Sequence, residues 1–276
     1  MKLPTIVLTI LGISVAHAFP PAPSYTLYGL VRDQVGQVLD VDGASLILLK
    51  GTEEVGRAPI NSKLGIDQNY SLKIRIDTGR PESRAYSENA ITANGAFSLA
   101  VEMNGARFYP IEINGTLTAG NGGETQRLDL NLGEDSDADG LPDVWEQWQL
   151  FQAGELPGDD GWDLSLIDRD GDFDKDGDSN HTEYIAGTFA GDNTETFSWE
   201  LTDIAAERVS FEIFAITGKR YTLEKSTDSV NWQRVRFSVG EDGQIEDSYE
   251  AKSVGIIPAY YQAPRAGRSF YRLSVR

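Results

Sequence analysis

The sequence predicts a mostly β protein: two antiparallel β-sandwich domains joined by a short helical segment. Three observations carry this expectation. Both flanks alternate apolar and polar residues with period two, turn-forming pairs interrupt the alternation, and a central stretch replaces alternation with regularly spaced acids. The boundaries that follow are a leader over 1–18, a first sandwich over 19–132, a connecting segment over 133–192 and a second sandwich over 193–276.

The leader comes first. Lys2 is a positive n-region, residues 6–15 are apolar, and Ala16-His17-Ala18 has the small-x-small pattern of a signal-peptidase site. The apolar run is too short to span a bilayer comfortably, so the expectation is cleavage before Phe19 and a soluble exported protein, secreted, at the cell surface or periplasmic. Loss of His17 leaves His181 as the one histidine, which argues against a Ser-His-Asp triad or a multi-histidine metal centre. The absence of cysteine excludes disulfides, thiolate zinc sites and thiol nucleophiles.

In the first sandwich, residues 71–77 place Leu72, Ile74 and Ile76 on one face and Lys73, Arg75 and Asp77 on the other; residues 127–132 alternate likewise. Turns are marked by Asp42-Gly43, Asn94-Gly95, Asn104-Gly105, Asn114-Gly115 and Asn121-Gly122-Gly123. In the second sandwich, residues 209–213, 220–224, 235–239 and 271–275 alternate in the same way.

The connecting segment concentrates the charge. The chain has 43 acids and 24 bases, a net charge of −19, which already disfavours a nucleic-acid partner. Residues 133–183 alone hold 17 of those acids and two bases, Arg169 and Lys175, so −15 of the −19 lies in 51 residues. Such a density repels itself unless a cation sits within it. Its spacing names the cation. Asp135, Asp137 and Asp139 stand at positions 1, 3 and 5 of a twelve-residue loop, Gly140 at 6, Leu141 at 7, Asp143 at 9 and Glu146 at 12. The second loop repeats this with Asp172, Asp174 and Asp176, then Gly177, Asp178, Asn180 and Glu183. Alternate side chains of a tight loop point inward, glycine at 6 allows the sharp bend, the carbonyl at 7 faces the ion, and the glutamate one helical turn on closes the shell. Hard oxygen ligands in this number suit Ca2+, and two loops imply about two ions.

This region resembles the EF-hand-like and thrombospondin type 3-like calcium repeats of exported bacterial proteins, whose second loop runs into a Glu-Tyr-Ile-Ala-Gly-Thr helix as residues 183–188 do here. It departs from a paired EF-hand: the residues before Asp135 read as a strand, position 8 is Pro142 in one loop and Ser179 in the other, and the loops start 37 residues apart. Half-hands are expected, each a loop with its outgoing helix. The stripe Val144, Trp145, Trp148 and Phe151 on the first helix is expected to pack inward, with Trp162 in the same cluster. Residues 28–49 resemble the first hairpin of carboxypeptidase-regulatory-like, transthyretin-like sandwiches. Residues 218–232 with 270–273 are similar to a C-terminal sandwich that accompanies acidic calcium repeats in large secreted proteins. The carboxypeptidase-regulatory-like resemblance implies a structural or adhesive module without catalytic residues.

The leading functional expectation is therefore an exported, non-enzymatic calcium-binding protein for adhesion or cell-surface architecture, its ions rigidifying the connection between sandwiches. Its partners would be calcium and a cell-surface glycan or protein. A carbohydrate-binding module using Trp199, Trp232, Tyr260 and Tyr261 is the alternative, as is dockerin-like docking to a partner protein; a two-carboxylate hydrolase ranks below these.

Overall fold

In a computed structural model the described residues are 22–61, 64–65, 67–77, 87–113, 115–262 and 267–276. The leader, Phe19 and Asn114 lie outside them. The fold is mostly β, with two α-helices among the described residues.

The described residues of the N-terminal part form twelve strands. They are β1 (Tyr25–Gly29), β2 (Val31–Arg32), β3 (Ser45–Lys50), β4 (Glu53–Pro59), β5 (Tyr70–Ile74), β6 (Ile76–Asp77), β7 (Ile91–Thr92), β8 (Ala96–Met103), β9 (Ala106–Phe108), β10 (Leu117–Thr118), β11 (Thr125–Arg127) and β12 (Leu130–Asn131). One layer runs β11-β1-β5 and the other β10-β8-β3-β4, with β9 also on β8. Between them Leu27, Leu46, Leu48, Leu72, Phe97 and Leu99 are buried in one apolar core. The alternation read over 71–77 holds up to Ile76, while Asp77 is buried instead of exposed. Asn104-Gly105 forms a two-residue turn between β8 and β9, both residues at positive φ, 52° and 80°.

Three features of this part differ from the sequence reading. The sandwich is not purely antiparallel: β11 lies parallel to β1, β12 parallel to β2, and β6 parallel to β7. The chain returns from the second layer to run alongside its own first strands in the same direction. The alternation over 127–132 also breaks at Asn131, which is buried because Glu112 accepts hydrogen bonds from its amide (2.9 Å) and its side chain. Residues 28–49, read as a hairpin, close on themselves at the antiparallel bridge between Arg32 and Val38, but β1 and β2 pair with β5, β11 and β12, whereas β3 lies in the other sheet.

The C-terminal part contains β13 (Trp199–Ile204), β14 (Arg208–Ala215), β15 (Arg220–Ser226), β16 (Gln233–Val235), β17 (Ser238–Val239), β18 (Tyr249–Glu250), β19 (Gly255–Gln262) and β20 (Phe270–Val275). Sheet β13-β14-β19-β17 faces a second sheet in which β15 pairs with β16, β18 and β20, all antiparallel. Phe211, Ile213, Tyr221, Leu223 and Phe237 are buried between them.

A third apolar cluster belongs to the connecting segment. Helix α1 (Asp143–Gln152), a 3-10 turn (Leu164–Ile167) and helix α2 (Asn180–Ala186) bury Leu141, Trp145, Leu150, Ile167 and Tyr184, and Trp162 packs against this cluster. Trp145 meets Tyr184 edge to face at 5.4 Å. The turn at residues 33–37 binds the three parts together. Tyr184 Oη donates to the Asp33 carbonyl (3.1 Å), and Lys219 Nζ donates to the Gly36 carbonyl (3.1 Å). A Cβ at Gly36, whose φ is 78°, would stand 2.6 Å from the Tyr184 carbonyl oxygen, so glycine is required there. No helix among the described residues is long and apolar enough to cross a membrane.

Candidate metal centre

The two acidic loops adopt the same backbone. Position 4 is left-handed in both, Ala138 at φ 63° and Lys175 at 67°, and the glycines at position 6 lie at 95° and 109°. Gly140 and Gly177 each donate an amide hydrogen to Oδ2 of the position-1 aspartate at 3.1 Å. Leu141 and Asp178 each donate to Oδ1 of the position-5 aspartate at 2.7 Å. Equal sequences at equal spacing have produced equal turns, because glycine at 6 reverses the chain and the aspartates cap the freed amides.

This folding gathers the carboxylates. Asp135, Asp137 and Asp139 bring one oxygen each within 4.8 Å of one another, and Asp172, Asp174 and Asp176 do the same. Each loop then enters its helix. Asp143 begins α1 and Asn180 begins α2, so Glu146 and Glu183 fall one turn inside. Ser179 caps α2 by accepting from the Thr182 amide at 3.3 Å, whereas Pro142 precedes α1 without a side-chain cap. The segment before Asp135 is β12 and no incoming helix is present there, as the half-hand reading expects.

Glu146 and Glu183 are the unusual members. Both are 0% exposed, and all four of their carboxylate oxygens lack a hydrogen-bond partner. Asp135 Oδ1, Asp174 Oδ2 and Asp176 Oδ2 are buried and unpartnered as well. Buried carboxylates without donors are costly, and a cation is the usual remedy. Burial, followed by the charges of Asp137, Asp139, Asp143 and Asp135, pushes Glu146 up to about 9. Burial and the charges of Asp174, Asp176, Asp178 and Asp172 push Glu183 up to about 8. The donors are all oxygen. The nearby imidazole of His181 places Nε2 at 3.0 Å from Arg169 Nη2, so this nitrogen accepts from the guanidinium.

Position 9 does more than the sequence reading assigned it. Asp143 Oδ1 accepts from the Ser136 amide at 2.7 Å, and Asn180 Oδ1 accepts from the Phe173 amide at 3.1 Å, bracing position 2 in both loops. Asn180 Nδ2 also donates to the Asp168 carbonyl at 2.6 Å. Water commonly bridges this position to calcium, which is compatible with an oxygen already engaged.

Arg169 escaped the sequence reading, which counted it only as one of two bases. Its amide donates to Asp139 Oδ2 at 2.7 Å and its carbonyl accepts from the His181 amide at 3.0 Å, so one residue ties the fifth position of the first loop to the second. Its place between Asp168 and Asp170 was the available signal. Asp178 Oδ2 accepts from the Phe197 amide at 2.8 Å, joining the second loop to the C-terminal part.

The aromatic residues considered for carbohydrate are engaged elsewhere. Trp199 packs on Phe211, Arg272 covers Trp232, Arg208 covers Tyr260, and Tyr261 lies against Tyr271. The first helix departs from expectation in the opposite direction. Of its predicted stripe only Trp145 is buried, while Val144, Trp148 and Phe151 are exposed. The buried side instead takes Trp145, Glu146, Gln149 and Leu150, and Gln149 Oε1 accepts from the Ala190 amide at 3.0 Å.

Compared with protein-family models, curated proteins and solved structures, the chain gives no match.

Proposed function

We propose that the protein is an exported, non-enzymatic calcium-binding structural protein, in which two ions hold the segment between two β-sandwiches in a fixed shape. The observation that carries this reading is the pair Glu146 and Glu183: fully buried, with no hydrogen-bond donor on either carboxylate, each beside a converged aspartate triplet. The residues fit calcium in number and kind. Asp135, Asp137, Asp139 and Glu146 would hold one ion with the Leu141 carbonyl and Asp143 at positions 7 and 9; Asp172, Asp174, Asp176 and Glu183 would hold the other with Asp178 and Asn180.

Such an ion removes the repulsion among the carboxylates and makes metal binding part of the folding free energy of this segment. Because α2 carries Tyr184, whose hydroxyl reaches Asp33, and the second loop holds Phe197, stiffening the loops also stiffens both junctions. The signal-like leader favours a compartment rich in calcium, where affinities of about 10⁻⁴ to 10⁻³ M suffice. Titration calorimetry on chelator-stripped protein tests the reading. Two equivalents of calcium should bind, with one equivalent lost in Glu183→Gln; wild type that gives no calcium heat at millimolar concentration refutes it.

A further inference from the structure

Helix α1 is apolar on two sides, and only one is covered. Val144, Trp148 and Phe151, spaced i, i+4 and i+7, are 41%, 50% and 56% exposed, and the rings of Trp148 and Phe151 lie 6.1 Å apart. Two depressions border helix α1, one at Val144 and one at Leu150. Val144 shares an open groove of about 750 Å³ with the exposed Val35, Phe108 and Tyr109 of the N-terminal part. Leu150, some 9 Å further along the helix, borders a second hollow of about 520 Å³ containing the exposed Leu156 and Leu166. Exposed apolar side chains gathered on one helix face in this way commonly mark an interaction site.

Charge decides the kind of partner. Apart from the five acids of the first loop, residues 133–168 contain six acids, Glu134, Glu155, Asp159, Asp160, Asp163 and Asp168, and no base. Exposed Glu155, Asp159, Asp160 and Asp163 line the second hollow, and Asp33 and Glu134 line the groove. The groove's one base, Arg107, already faces Glu54 and Glu102 at 3.4 and 3.5 Å. We propose that this ridge and its two depressions dock a basic amphipathic segment of another protein, its apolar side chains over Trp148 and Phe151 and its Lys or Arg side chains in the acidic hollow. A neutral glycan would use none of this charge, and a second copy would set two acidic faces against each other. The proposal extends beyond calcium binding and does not depend on it, so the test is run in saturating calcium with metal content measured separately.

The probe is a fluorescein-labelled, 18-residue Leu/Lys amphipathic peptide, read by fluorescence anisotropy with the full chain at 0.15 M NaCl. The Leu/Lys peptide should bind and its Leu/Glu counterpart should not. The double variant Trp148→Ser/Phe151→Ser, whose thermal midpoint should stay near wild type because both side chains are exposed, should bind at least tenfold more weakly. Val230→Ser, at an exposed position in the C-terminal part, should bind like wild type. Equal binding by the double variant would reduce the effect to unspecific attraction and overturn the proposal. Trp148-dependent binding of cellohexaose in place of the peptide, or self-association abolished by the double variant in light scattering, would assign the ridge to a glycan or a second copy and overturn it equally.

Discussion

Replacing Glu146 by glutamine separates a metal ligand from a merely buried side chain, because the two roles predict different signs. The change keeps the shape and removes a titratable group from a cluster that includes Asp135, Asp137, Asp139 and Asp143. Without calcium, wild type must bury Glu146 with no donor on either oxygen or take up a proton to do so, burial and the neighbouring aspartates having raised it to about 9, so the variant should be the more stable protein, by about 1–3 kcal/mol. With calcium, wild type gains linkage free energy of about 2.7 kcal/mol for one site at a ligand concentration one hundredfold above Kd. The variant forgoes that gain at its first loop. For a cooperative unit of this size that corresponds to a shift in thermal midpoint of roughly 5–10 °C. Thermal unfolding followed by circular dichroism, in EDTA and in 10 mM calcium chloride, should therefore show the two curves exchange order. If the variant is destabilised by the same amount in both buffers, or if wild type ignores calcium, the argument from the orphaned carboxylates fails.

Two other outcomes follow from the same geometry. Gly177→Ala introduces a methyl into open space, so its whole cost is the backbone at φ 109°; it should destabilise by about 1–2 kcal/mol and weaken one calcium equivalent in calorimetry, leaving the other in place. Lys219 is 1% exposed, and burial, reinforced by Arg32 and opposed by Asp33, lowers its ammonium from 10.5 to about 7. The unfolded chain therefore binds more protons between those values. The penalty is fully present below pH 7 and vanishes above pH 10.5, so stability rises with pH across this window. In urea titrations at pH 6.5 and 10, wild type should gain on Lys219→Met by something on the order of 3 kcal/mol; a difference independent of pH would show that the lysine is not titrating in place.

The turns of the two acidic loops were almost wholly legible, and the reason is local. Six diagnostic residues per loop act within twelve positions, and the turn they require needs no support from distant chain beyond the room to form. Alternation identified β5, β14, β15 and β20 for the same reason, since period two fixes which neighbours share a face. The stripe on α1 shows where this ends. Val144, Trp148 and Phe151 form a better hydrophobic pattern than the side that is buried, yet the helix turns Glu146 and Gln149 inward because one faces the loop carboxylates and the other caps the Ala190 amide.

What the sequence alone determined is thus the chemistry: two loops rich in oxygen ligands, no sulfur to compete, and β-rich flanks of low net charge around a strongly acidic segment. The tertiary structure decided which of those groups lack partners, which face of α1 meets solvent, and that β11 and β12 run parallel to β1 and β2. It also decided that Arg169 couples the loops and that Lys219 is sealed against Gly36. Ligand spacing is a property of a few consecutive residues, whereas burial and pairing depend on segments far apart in the chain, and local periodicity holds no record of which segments meet.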